Sequence, residues 1–229
     1  MMAKIIPIDG DKIRLPGPRD RITIIGPTGS GKTHAAMWHL ANASFTSRPF
    51  VVIDPKREEL VAQIDGAEYI EVGEVPKYPG IYVCQPIPSD GPLVDKMLLD
   101  IWERENVGIW FDEGLMFGTG DGIDACFTQG RSKQIPMIML MQRPIWVSRF
   151  AISEASFIQY FGLKDARDRS IVRGFSEIPV ESRLDRWHSF YYDVSRNRNY
   201  HWKPMPEANK ILNRINSRLD SMKPQRKVI

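Results

Sequence analysis

The chain has 229 residues, 42% of them hydrophobic and 26% charged, with a formal net charge of +3, the profile of a globular protein of one or two domains. No apolar run approaches the roughly 20 residues of a membrane-spanning helix, and the apolar stretch within 1–6 is too short for a secretion signal. Cys84 and Cys126 are too few for a disulfide framework and form no C-x-x-C pair, so they read as small buried residues in a reducing compartment.

Residues 1–20 are rich in Pro and Gly, show no period and read as a lead-in segment. From Arg21 onward, short apolar strands alternate with helical patterns, the signature of an α/β fold with a mainly parallel central sheet flanked by helices. Ile22, Thr23, Ile24 and Ile25 make a buried strand, and 34–43 a helix. Between them Gly26, Pro27, Thr28, Gly29, Ser30, Gly31, Lys32 and Thr33 fit G-x-x-x-x-G-K-[ST]. Strand, glycine-rich loop and helix are the context in which that pattern binds phosphate. The glycines let successive N–H groups point inward, and the helix adds the positive end of its dipole. Lys32 is expected to reach the β- and γ-phosphates of ATP, and the Thr33 hydroxyl to ligate Mg²⁺.

Further along, 50–54 is a second strand stopped by Pro55, and 81–84 a third closed by Gln85 and Pro86. Residues 91–105 place Leu93, Val94, Met97, Leu98 and Ile101 at helical spacing. The strand 107–111 ends in Asp112 and Glu113, two adjacent carboxylates at the sheet edge where phosphates lie. Asp112 suits the Mg²⁺ shell, and Glu113 a general base for the attacking water. A loop with Gly114, Gly118, Gly120 and Gly122 leads into a short helix through Arg131. The strand 135–141 then ends at Gln142, placed to sense the γ-phosphate or hold the lytic water. A strand at 155–162 and a short helix at 165–173 complete a core over 21–175.

Beyond Gly174 the texture changes. Residues 189–193 and 199–202 read as a hairpin, 206–219 as a terminal helix and 223–229 as a disordered tail. Together, 176–229 read as a small basic C-terminal appendage. From Lys164 onward there are 15 basic against 8 acidic residues, whereas 1–163 hold 16 against 20. That asymmetry suits a polyanionic partner, or a solvated basic surface.

Ile53-Asp54-Pro55-Lys56, followed by Glu59-Leu60, resembles the second-strand motif of FtsK-type DNA translocases, and Met141-Gln142-Arg143-Pro144 resembles that family's strand-end glutamine with Arg-Pro. With the 26–33 loop and Asp112-Glu113 in order, residues 20–175 resemble the FtsK–HerA superfamily. The compact size resembles its genome-packaging ATPases from tailless, membrane-containing icosahedral viruses. The resemblance implies a RecA-like P-loop fold and a hexameric ring. It also implies ATP sites completed by a neighbour's arginine, with double-stranded DNA in the central channel. Arg131 is one candidate for that arginine, and Arg143, Arg149, Arg167, Arg169 and Arg173 are others. The 114–130 loop, Arg149, Phe117, Phe127 and Trp146 are candidate DNA contacts. Arg196, Arg198 and Lys203 are candidates to meet DNA or a capsid or vertex protein. Lys56 has no fixed role, beyond a place near the nucleotide or a pairing with Glu58 or Glu59. Host cytoplasm and virion are the implied sites of action. The alternatives are a filamentous-phage assembly or conjugation-type motor, a small-molecule P-loop kinase, and a virion-vertex component with little hydrolysis.

Overall fold

The computed structural model describes residues 5–7, 13–112 and 120–222. In chain order the strands are β1 (Ile5–Pro7), β2 (Arg21–Ile25), β3 (Pro49–Ile53), β4 (Glu68–Tyr69), β5 (Gly80–Cys84), β6 (Gly108–Phe111), β7 (Met137–Met141), β8 (Phe157–Tyr160), β9 (Ser189–Asp193) and β10 (Arg198–Trp202). The helices are α1 (Lys32–Ala41), α2 (Glu59–Ala62), α3 (Gly91–Arg104), α4 (Asp121–Gln129), α5 (Phe150–Ser153), α6 (Ala166–Phe175) and α7 (Ala208–Asp220). All the strands join one sheet in the order β1-β10-β9-β8-β2-β7-β6-β3-β5-β4. Only β9 runs against its neighbours; every other pairing is parallel.

Strands β2, β3, β5, β6, β7 and β8 are buried along their whole length, because helices cover both faces. Alternate side chains divide between two apolar layers. Val51, Ile53, Met137 and Met139 pack with α3 and α4 through Val94, Met97, Leu98, Ile101, Ile123 and Cys126. Phe50, Val52, Ile138 and Leu140 pack with α1 and α7 through Ala35, Ala36, Leu40, Ile211 and Ile215. The result is the expected three-layer α/β arrangement. Leu93, on the predicted apolar stripe of α3, faces solvent instead. Gly108 sits beneath the Phe50 ring, where an added Cβ would come within 2.2 Å of it.

Three local expectations change. The hairpin expected in an appendage is hydrogen-bonded into the sheet, with β9 antiparallel to β8 in register Gln159↔Tyr191. It covers what would otherwise be an open edge of β8. A buried chain of polar groups fastens this junction to α1: His39 Nε2 meets Gln159 Oε1 at 2.9 Å, and Gln159 Nε2 donates to Ser189 Oγ at 2.9 Å. Burial pushes His39 down to about 4, so the ring stays neutral and Nε2–H is the donor. Second, α4 stops at Gln129 rather than reaching Arg131. Gly130 closes the turn, its N–H donating to Cys126 O while Ile135 N–H donates to Gly130 O. Third, Phe127 is fully buried in the core and cannot press on DNA. Both cysteines are buried and free, as expected. Phe117, Gly114, Gly118 and the expected tail at 223–229 lie outside the described residues.

Candidate nucleotide-binding site

The parallel strands deliver their C-terminal ends to one edge of the sheet, where ligands bind in open α/β sheets. Adjacent β2 and β7 present the 26–33 loop and Gln142 there; β6, on β7's other side, presents Asp112. The loop is tied down at its base by Gly26 N–H donating to Met141 O at 3.2 Å. Gly29 (φ 76°) and Gly31 (φ 103°) take left-handed backbone conformations that other residues adopt only at a cost. Gly31 is the N-cap of α1 and offers no side chain to cap it, so the first-turn N–H groups point towards the space inside the loop. Lys32 Nζ lies across the loop and donates to Pro27 O at 2.8 Å.

A cleft of about 330 Å³ opens at this edge, lined among others by Thr28, Lys32, Thr33, Lys56, Asp112 and Gln142. Gln142 is held against the loop, its Oε1 accepting from Thr28 Oγ1 at 3.1 Å. Asp112 is nearly inaccessible, and its Oδ2 has no hydrogen-bond partner among the described residues. Lys56 Nζ stands 3.8 Å from that oxygen. Lys56 thus has its place near the nucleotide cleft and is paired with Asp112. Asp54, behind it, is buried and accepts from Glu58 N–H with both carboxylate oxygens, which fixes the turn that carries Lys56. The second-strand tetrapeptide is therefore part of the site.

Burial dominates the electrostatics. It pushes the Asp112 carboxyl up to about 6, against the pull of Lys56. It pushes the Lys32 ammonium down to about 8, assisted by Lys56 and opposed by Asp112. A buried carboxylate oxygen with no hydrogen-bond partner among the described residues, lining the same cleft as the threonine at the start of α1, is a hard-oxygen donor set suited to Mg²⁺. Among the described residues no group of three or more His, Cys, Asp or Glu is arranged for a metal. A cation here would share its shell with phosphate oxygens and water, as Mg²⁺ commonly does.

Glu113 follows Asp112 directly and lies outside the described residues. Arg131 is exposed and is not brought to this cleft. Its charge acts on Arg21, at the opposite end of β2 from the loop. Arg143 is held by Asp168, at 2.5 Å, and by Asp165. Sequence reasoning missed Trp187. It lines this cleft and a second, apolar one of about 470 Å³ that shares Gly31 and His34 with it. No motif marks it, because its position depends on how the chain after α6 returns across the loop.

No family model matches the chain. The DNA packaging ATPase P9 of Enterobacteria phage PRD1 is 42% identical over 215 residues, covering 89% of this chain and 95% of that one. Among solved structures, the DNA-packaging ATPase B204 from Sulfolobus turreted icosahedral virus superposes with a TM-score of 0.63 at 16% identity, covering 83% of this chain and 100% of that one. The corresponding B204 of Sulfolobus turreted icosahedral virus 2, in complex with ATP-gammaS, gives 0.61 at 14% identity with the same coverage. The pCW3 conjugation coupling protein TcpA gives 0.57 at 14%, over 85% of this chain and 64% of that one. At these identities the solved structures establish the fold.

Proposed function

The chain belongs to the viral genome-packaging P-loop ATPases of the FtsK–HerA type, and from that membership we propose that it couples ATP hydrolysis to moving double-stranded DNA into a preformed capsid. One observation carries the catalytic part: the 26–33 loop, Asp112 and Gln142 converge on one cleft at the C-terminal edge of the sheet. Loop N–H groups and the α1 dipole receive the phosphates, and Lys32 leaves the Pro27 carbonyl to contact the β- and γ-phosphates. Thr33 and Asp112 are the residues that would hold Mg²⁺, which when bound would neutralise charge on the β- and γ-oxygens. Lys56 supplies a second positive charge beside them. Glu113 takes the proton of the attacking water. Gln142, hydrogen-bonded to Thr28, exchanges that partner for the γ-phosphate and so reports its presence along β7.

A hexameric ring with ATP sites at subunit interfaces, and DNA held through its phosphates in the channel, complete the reading. Its places of action are the host cytoplasm and the packaging vertex of the virion, where capsid or vertex proteins are partners. Among the described residues no helix is long and apolar enough to cross a membrane. The test is Glu113→Gln, assayed for ATP binding by calorimetry and for phosphate release. Binding within about threefold of wild type with turnover lowered at least ~100-fold is the expected result. Near-normal turnover would remove Glu113 from the base role. Stimulation of wild-type turnover by double-stranded DNA tests the motor.

A further inference from the structure

Trp187 stands between α6 and β9 in a conformation that a bulky aromatic seldom takes, with φ 63° and 47% of its surface exposed. Strain of this kind is kept where the side chain has work at a site. The indole reaches the phosphate loop: a Cβ at Gly31 would be 3.6 Å from Trp187 Cδ1 and 3.4 Å from Phe161 Cε1. Trp187 also separates two adjoining clefts. On one side is the phosphate cleft of about 330 Å³; on the other is a cleft of about 470 Å³ walled by Phe161, Pro204, Met205 and Pro206.

The two clefts share Gly31, His34 and Trp187. A ligand with phosphates on the loop therefore continues past His34, the residue after Thr33, into the larger cleft. We propose that this larger cleft is the base subsite of the nucleotide site, taking a purine ring stacked on Trp187 and enclosed by the 204–206 segment. The proposal rests on the reading of the 26–33 loop as a nucleotide phosphate site. The walls of the larger cleft offer mainly flat or polarisable surface, with His34 and Glu207 the polar side chains among them. Pro204 and Pro206 have no backbone N–H, and Met205 conforms to whatever ring lies against it. Arg186 sits over the Trp187 ring at 4.2 Å from its centroid and lines neither cleft, backing the indole without reading the base. Such a subsite selects by stacking area and not by hydrogen-bond pattern. It accepts adenine and guanine about equally and pyrimidines less well.

The experiment is calorimetric titration of the full chain with ATP, GTP, CTP and inorganic tripolyphosphate, for wild type, Trp187→Ala and Trp187→Phe. Expected for wild type are ATP and GTP within about threefold of each other and CTP weaker by about tenfold. Trp187→Ala weakens ATP by about tenfold or more and leaves tripolyphosphate within about twofold, while Trp187→Phe recovers most of the loss. Equal losses for ATP and tripolyphosphate would assign Trp187 to shaping the loop and overturn the subsite. So would an unchanged ATP affinity, or a preference of about 100-fold between ATP and GTP. If wild type bound neither ATP nor tripolyphosphate, the phosphate-loop reading itself would fall, and the subsite with it.

Discussion

Lys32 and Asp112 occupy one buried corner beside the exposed Lys56, and Lys56 acts on the proton equilibria of both. Phosphate binding needs Lys32 charged, and burial has brought it down to about 8. Metal ligation needs Asp112 ionised, and burial has lifted it to about 6. The kcat/KM of ATP hydrolysis therefore falls as pH drops through about 6 and again as it rises through about 8, a bell set by the free enzyme. Lys56 contributes a downward push at both groups, since a nearby positive charge disfavours a protonated lysine and favours an ionised carboxylate. Replacing it by Met raises both values, so both limbs of the bell move to higher pH. The ionisation of ATP is common to wild type and Lys56→Met, so the displacement between their pH profiles isolates the protein. Limbs that stay in place, or move down, would show that Lys56 does not act on this pair.

At the scale of elements, part of the basic C-terminal charge is used within the fold. Arg218 of α7 donates to the carbonyls of Ala41 and Ala43, both at 2.7 Å, and its guanidinium lies over the Phe45 ring at 4.3 Å. Arg214 donates to Ala41 O and Asn42 Oδ1. These cations satisfy the carbonyls at the end of α1 and oppose its negative pole. Arg218→Ala should lower unfolding free energy by about 1–2 kcal/mol in urea titrations while leaving ATP affinity unchanged. A change within experimental scatter would reduce the contact to surface decoration. Charge counting could not distinguish this use from a polyanion site, because the acceptors are backbone carbonyls about 170 residues away in sequence. The same limit governs the rest of the fold. The 26–33 loop, Asp112 and Gln142 were legible because each motif is local and the α/β pattern brings strand ends to one edge. The pairing of β9 with β8, the two-residue β4, the one-turn α2 and α5, and the placing of Trp187 depend on contacts across the chain. Lys56 was visible as part of a tetrapeptide, but its partner Asp112 directly follows β6, the neighbour of β3 in the sheet.

For the whole molecule, the proposed ring predicts that a neighbouring subunit completes the site from the open side of the phosphate cleft. Several arginines of the expected set are already engaged within the chain. Arg143 is bound to Asp165 and Asp168, and Arg169 and Arg173 are both bound to Glu181. Arg131, Arg149 and Arg167 are exposed and form no salt bridge among the described residues. A residue that acts on a neighbour must be reachable from outside its own chain and not already held by an acidic partner, which favours these three over Arg173, exposed but bound to Glu181. One of them replaced by Ala should lower turnover by about a thousandfold or more with ATP affinity nearly intact. The decisive measurement mixes that inactive variant with Glu113→Gln, also inactive. In a head-to-tail ring each interface joins two different surfaces. A subunit with intact Glu113 but no arginine can then borrow one from a Glu113→Gln neighbour. A random 1:1 mixture has such pairs at about a quarter of its interfaces and should recover about a quarter of wild-type activity if sites act independently. Recovery should grow with protein concentration as rings assemble. If no arginine variant regains activity on mixing, the site is complete within one chain, and the ring is not needed for hydrolysis.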